Sequence, residues 1–245
     1  MLFSANGWAA VGAVALGLGT IPSAYYAVRD EKNRKYYSVL AAITGIATAA
    51  YALTSLGIGS IPVDSATFYT PRYVDWLLTT PLLILYLTML CKPGKQLYAL
   101  LIGLDVALIG LGVAAIFTSG VLSLTLFGLG GAAYVALAYL LVTELPDRAS
   151  FASERVGIVF AKLRNVTVVL WTMYPVVWLL APVGFGLLQP GVEMMVIVYL
   201  DIITKVGFAM LALMGRDALD DITDQSLQLE TEDGDGSSTA TEFVS

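Results

Sequence analysis

Long apolar blocks separated by short polar breaks run the length of the chain. Seven such blocks cover residues 2–28, 34–57, 70–91, 95–118, 121–144, 156–181 and 190–215. Each is about 22 to 28 residues long, enough for a helix rising about 1.5 Å per residue to cross roughly 30 Å of hydrocarbon. The breaks carry turn residues: Asp30 to Lys32, Lys92-Pro93-Gly94-Lys95, Ser119-Gly120, and Pro182 to Pro190. The connection between the second and third blocks is longer. It holds Gly57, Gly59 and Pro62 with Val63, Thr67 and Tyr69, and predicts a small hairpin. The pattern thus predicts an all-α fold: a seven-transmembrane-helix bundle over 1–216, in a multi-pass protein of the cell membrane.

Composition agrees. Of 245 residues, 58% are hydrophobic and 13% charged, against about 25% charged in soluble domains. Cys91 is the single cysteine, and histidine is absent. That removes disulfides, cysteine-based metal sites and histidine-dependent nucleophilic catalysis. No glycine-rich phosphate loop is present. The expectation is a protein that is not an enzyme, holds no metal, and has membrane lipids and no nucleic acid as surroundings.

The basic residues set an orientation. Arg29, Lys32, Arg34, Lys35, Lys92, Lys95, Arg148, Arg155, Lys162, Arg164 and Arg216 all fall on one side of a seven-span topology. The positive-inside rule makes that side cytoplasmic, with the N-terminus outside and the C-terminus cytoplasmic. No Lys or Arg precedes Arg29, unlike a cleaved signal peptide with a basic start. The segment 217–245 has nine acidic residues and no basic one, and without those nine negative charges the formal charge of −6 becomes +3. It reads as a disordered acidic tail.

Two basic residues, Arg72 and Lys205, lie inside spans. So do Asp75, Asp105 and Asp201, with Glu193 near the outer end of the seventh span. Each such charge costs roughly 2.5–3.5 kcal/mol on insertion scales and so requires a reason. Asp201 precedes Lys205 by four residues, on one helix face and about 6 Å along the axis. Glu193 stands eight residues before Asp201, about 12 Å further out on that face. In the third span Arg72 and Asp75 are three apart, and Thr79 is a turn beyond Asp75. One reading is an ion-paired structural core or transporter site. The sharper reading is a lysine that forms a Schiff base with a carbonyl cofactor. Asp75 and Asp201 then serve as counter-ions, and Arg72 keeps both carboxylates ionised.

Span six carries Trp171, Tyr174, Pro175 and Trp178 on one helical face, span three adds Trp76, and span five adds Phe127 and Tyr134. An aromatic stripe at helical spacing is ordinarily core. Beside a buried lysine it also suits the wall of a conjugated cofactor. Pro175 removes a mid-helix hydrogen bond and makes span six a candidate moving part.

The run from Pro71-Arg72-Tyr73-Val74-Asp75-Trp76 to Thr79-Thr80-Pro81-Leu82 resembles the third helix of archaeal (microbial) rhodopsins. Leu163-Arg164-Asn165 with Leu170-Trp171-Thr172-Met173-Tyr174-Pro175 resembles their sixth, and Tyr199-Leu200-Asp201-Ile202-Ile203-Thr204-Lys205-Val206-Gly207 their seventh. The resemblance covers all seven spans and leaves out the acidic tail. It implies all-trans retinal on Lys205, isomerised by light. It implies Asp75 as primary counter-ion and proton acceptor, bonded by Thr79, and Asp201 as second counter-ion. Arg72 and Tyr51 are implied to hold the outer hydrogen-bond network. Trp76, Thr80, Leu108, Gly112, Phe127 and Gly130 are implied retinal contacts, as are Tyr134, Trp171, Tyr174 and Trp178. With an acid at Asp75, chloride pumping is disfavoured.

The resemblance leaves pump against sensor open. Family proton pumps carry a carboxylic acid eleven residues after the counter-ion, about 16 Å deeper on the same face. Here that donor position is Tyr86, and a phenol with a pKa near 10 is a poor fast donor. Leu40 replaces a hydroxyl that supports the donor. Thr204 resembles the sensory rhodopsin II residue that bonds Tyr174 for signalling, although a threonine bonding its own helix is equally ordinary. Tyr199 sits where those sensors contact a transducer, although a lipid-facing aromatic fits as well. Gly130 and Gly131 stand where pumps place hydroxyls, which implies a blue-green absorption. Glu193 points the other way, matching a proton-release carboxylate of pumps, with Val183 near its usual partner's place. Gln189 also departs from the sensor pattern. Three readings result: a blue-green photosensor signalling through a chemotaxis-type membrane transducer for phototaxis; a weak or donor-less light-driven proton pump, as in bacteriorhodopsin or a middle rhodopsin; and a non-photoactive transporter. Homo-oligomerisation stays open.

Overall fold

A computed structural model describes residues 4–63, 66–226 and 228. Seven helices in it are long and apolar enough to cross a membrane. They are α1 (Ala5–Arg29), α2 (Arg34–Ser55), α3 (Thr70–Cys91), α4 (Lys95–Ile116), α5 (Gly120–Asp147), α6 (Glu154–Leu180) and α7 (Pro190–Met214). The ends follow local chemistry. Ser4 accepts the Gly7 N–H and starts α1; Ser153 accepts the Val156 N–H and starts α6. Prolines open α3 and α7, where a missing N–H costs nothing. Lys92, with φ of 46°, closes α3 in a left-handed cap.

The predicted hairpin is present. Strands β1 (Ser60–Val63) and β2 (Ala66–Tyr69) pair antiparallel, with Ser60 opposite Tyr69. Gly59 enters it at φ +74°, and a Cβ there would come 2.9 Å from Pro71 Cδ. That strain and contact reserve the position for glycine.

The outward faces are greasy: Val14, Leu18, Val121, Leu124 and Val169 are all exposed. In water that surface would be unfavourable; against lipid it is the expected one. Inside, one apolar cluster fills the half of the bundle away from the hairpin, around Tyr36, Tyr37, Leu40, Leu87, Phe160 and Phe208. A smaller one on the hairpin side joins Ala9, Leu16, Ala47, Tyr51, Met194 and Val198. Lys205 and its carboxylates lie between.

Three helices depart from regular α geometry; in α5 the segment Leu140–Glu144 is a π-helix. A turn interrupts α6 at Thr172, three residues before Pro175, whose ring nitrogen has no hydrogen to give. In α7 the segment Ile202–Gly207 is a π-helix, and Lys205 lies within it. Such wide turns recur at functional sites because they re-aim a side chain.

The acidic tail requires a correction. Residues 217–226 are helical, and Ala218, Leu219 and Ile222 are buried against the bundle. The expectation of a disordered segment from residue 217 fails there. Short acidic sequence can still carry one apolar stripe, and burial of that stripe orders it. Apart from Gln228, the rest of the acidic segment lies outside the described residues.

Candidate functional site

Lys205 is 1% exposed, and Asp75 and Asp201 are buried beside it. The Lys205 Nζ forms an ion pair and hydrogen bond with Asp75 Oδ2, and lies 3.6 Å from Asp201 Oδ1. The ammonium and the two carboxylates, each penalised by insertion scales, therefore offset one another in part. Asp75 also accepts a 3.3 Å contact from the Thr79 hydroxyl, which bonds the Asp75 backbone carbonyl at 2.8 Å.

Asp201 is held by three neutral donors. Tyr51 and Tyr174 each donate to it at 2.6 Å, and the Trp76 indole N–H lies 3.2 Å away. These bonds come from α2, α6 and α3, so the carboxylate sets the mutual positions of four helices. Arg72 bonds neither Asp75 nor Asp201, the two carboxylates it was expected to keep ionised. Its guanidinium points toward the hairpin side, donating to Glu193 at 3.2 Å and to Met194 Sδ at 3.0 Å, and it stacks over Tyr69. The paired carboxylate is Glu193, while neutral hydroxyl and indole groups serve Asp201.

A cavity extends from Lys205 between α3, α4, α5, α6 and α7. The expected contacts Trp76, Thr80, Leu108, Gly112, Phe127 and Gly130 line it. So do Tyr134, Trp171, Tyr174, Trp178 and Asp201. Phe127 stacks on Trp178 with ring centres 4.1 Å apart and planes 11° apart, and Trp76 meets Tyr174 edge-on. A Cβ built on Gly112 or Gly131 meets nothing within 4 Å, so both leave open space beside the chain. Tyr134 bonds the Val168 carbonyl and the Thr172 hydroxyl, tying α5 to the break in α6. A slot with flat aromatic sides and a lysine amine at its end fits a long apolar conjugated molecule bearing one carbonyl.

Asp105 had no assigned role in the sequence. Its buried carboxyl accepts the Thr80 hydroxyl at 2.7 Å and lines the cavity. A lone intramembrane acid was the available signal, but its partner lies on another helix, 25 residues away.

Of three further expected residues, Thr204 lines the cavity, and Tyr86 and Tyr199 lie outside it. Tyr86 is fully buried on the tail side of Lys205, its ring against Tyr36 and Phe208. Its hydroxyl has no hydrogen-bond partner among the described residues. Thr204, beside Lys205, lies 3.2 Å from the Tyr174 hydroxyl. Tyr199 faces outward, 52% exposed, with its ring near Trp8 of α1.

Known proteins share this architecture. The family model described as bacteriorhodopsin-like protein matches residues 3–219. Sensory rhodopsin-2 of Halobacterium salinarum is 46% identical over 212 residues, covering 86% of this chain and 89% of its own. Sensory rhodopsin-2 of Natronomonas pharaonis is 40% identical over 205 residues, covering 83% and 85%. Among solved structures, the thermophilic rhodopsin from Rubrobacter xylanophilus superposes with a TM-score of 0.85 at 38% identity, covering 90% of this chain and 99% of its own. The chain belongs to the bacteriorhodopsin-like family of multi-pass membrane proteins, whose retinal chromophore makes its members photoreceptors or light-driven transporters and not enzymes.

Proposed function

We propose that the protein is a blue-green photosensor of the sensory rhodopsin II type, signalling through a chemotaxis-type membrane transducer, with retinal on Lys205 as a protonated Schiff base. When bound, retinal supplies light absorption and a light-driven change of shape. The chain's own residues supply the rest. Asp75 accepts the proton from Nζ, being the carboxylate that pairs with it. Asp201 stays as the fixed counter-ion, held in place by its three donors. Trp76, Trp171, Tyr174 and Trp178 confine the chromophore and exclude water.

The observation that carries the sensor reading is Tyr86. Return of a proton to Nζ from the tail side needs a donor there. The buried acids among the described residues are Asp75, Asp105 and Asp201. Thr80, which binds Asp105, is six residues and so about 9 Å short of Tyr86. Tyr86 offers only an unpartnered phenol, a poor acid near neutral pH. Slow proton return prolongs the activated state, which suits signalling and handicaps pumping. The sensory relatives and the exposed Tyr199 support the same reading, with the hairpin side outside and the tail side cytoplasmic.

The second reading, a weak outward proton pump, rests on the Arg72–Glu193 pair. That pair places a carboxylate on the hairpin side of the site, where a released proton would leave. Light-induced pH change in an unbuffered suspension of retinal-fed cells separates the two. The sensor gives a visible absorption band with little acidification. Sustained acidification abolished by a protonophore would establish the pump instead. Co-purification with a chemotaxis-type transducer tests the partner.

A further inference from the structure

Beyond α7 the chain turns back onto the bundle as the helix 217–226. Ala218, Leu219 and Ile222 form its buried stripe, in the apolar cluster that also holds Tyr37, Val156 and Phe160. Its polar face is equally engaged. Lys32 bridges Asp220 at 3.3 Å and Asp224 at 3.0 Å, one helical turn apart. Asn33, 1% exposed, donates from Nδ2 to Asp220 at 2.9 Å and to Asp30 at 3.2 Å, and accepts the Thr223 hydroxyl at 2.8 Å. On the opposite side, the Ser153 hydroxyl donates to Asp221 Oδ2 at 2.5 Å while capping α6 through the Val156 N–H.

We propose that residues 217–226 are a latch that ties the first turn of α6 to the loop between α1 and α2. The segment Glu154–Trp171 of α6 is a lever, set off from the rest by the break at Thr172. Its 18 residues make it about 27 Å long. An outward swing of its tail-side end must break Ser153–Asp221, or else pull the helix off Lys32 and Asn33. The turn before the helix is also tight, since a Cβ on Gly215 would come 2.5 Å from Val159 of α6. The latch therefore restrains the tail-side end of α6 in the dark state.

Hydrogen–deuterium exchange of the full chain in lipid nanodiscs, in the dark, tests this. Ser153 is left unchanged, because its loss would also remove the α6 cap. In the wild type, amides 218–226 exchange at least about tenfold slower than free peptide. Asp221→Ala speeds exchange of residues 154–158 by about tenfold, the effect of one lost bond to a charged group. Asn33→Ala does the same for 218–226, and unchanged rates in α2 and α3 show that the bundle is intact. Free-peptide exchange of 218–226 in the wild type, or wild-type rates for 154–158 in Asp221→Ala, would overturn the latch.

Discussion

The hydroxyls of Tyr174 and Thr204 lie 3.2 Å apart and join α6 to α7 one residue before Lys205. Tyr174 commits its own proton to Asp201 at 2.6 Å, so Thr204 is the donor in this contact. The Asp201 backbone carbonyl, 3.3 Å from the same hydroxyl, competes for that proton. A change at Nζ thus reaches α6 by two bonds, the strong one from Tyr174 to Asp201 and the weak one from Thr204 to Tyr174. For Thr204→Ala the expected outcome is a folded, coloured protein, since Tyr51, Tyr174 and Trp76 still hold Asp201. Stability falls by about 1 kcal/mol or less, and phototaxis is lost. Unchanged phototaxis in cells carrying this variant would remove Thr204 from the signalling path.

Tyr86→Asp restores a carboxylic acid on the tail side of Lys205. The site is fully buried and offers its hydroxyl no partner, so the new acid stays protonated at rest and is poised to give its proton away. After a flash, recovery of the dark absorption accelerates roughly tenfold or more, in the range of general acid catalysis. Flash photolysis reads this directly. An unaltered recovery time would mean that proton return is not limited at Tyr86.

Lys205→Ala removes the only amine in the cavity wall among the described residues and gives no visible band when retinal is added. Asp75→Asn keeps a band and moves it to longer wavelength. The Asp75 charge next to Nζ stabilises a positive nitrogen in the resting state; a neutral amide does so far less. Absorption spectra of the two purified variants check both outcomes, and a normal spectrum for Lys205→Ala would end the retinal assignment.

Asp30 gives a pH dependence outside the membrane. Burial pushes its pKa up, but bonds from Asn33 and Tyr37 outweigh this and hold it below the ordinary carboxylate value. A lowered folded-state pKa stabilises the fold above the ordinary value, and that contribution is lost as the pH falls through the folded one. Asp30→Asn is therefore less stable than wild type at neutral pH, and the gap closes as the pH drops below about 3.9. Thermal loss of the visible band, followed against pH for both proteins, measures the gap; a gap that widens in acid would contradict the sign.

The spans, the hairpin and the lysine with its neighbouring carboxylate were determined by the sequence alone, and for one reason. A bilayer accepts only long apolar runs with internally bonded backbone, so each run and each intruding charge is visible in one dimension. Asp201 and Lys205 share a face by spacing, and the aromatic residues of α6 do likewise; all line the cavity. Tertiary structure decided which groups meet across helices. Arg72 pairs with Glu193, 121 residues away, and Trp76 and Tyr51 reach Asp201 across 125 and 150. No local period encodes such distances. The helix 217–226 shows the same limit. Nine acids in the segment 217–245 predict solvation. Three buried apolar residues, with Lys32, Asn33 and Ser153 placed by the folded bundle, instead hold its first ten residues as a helix against the bundle.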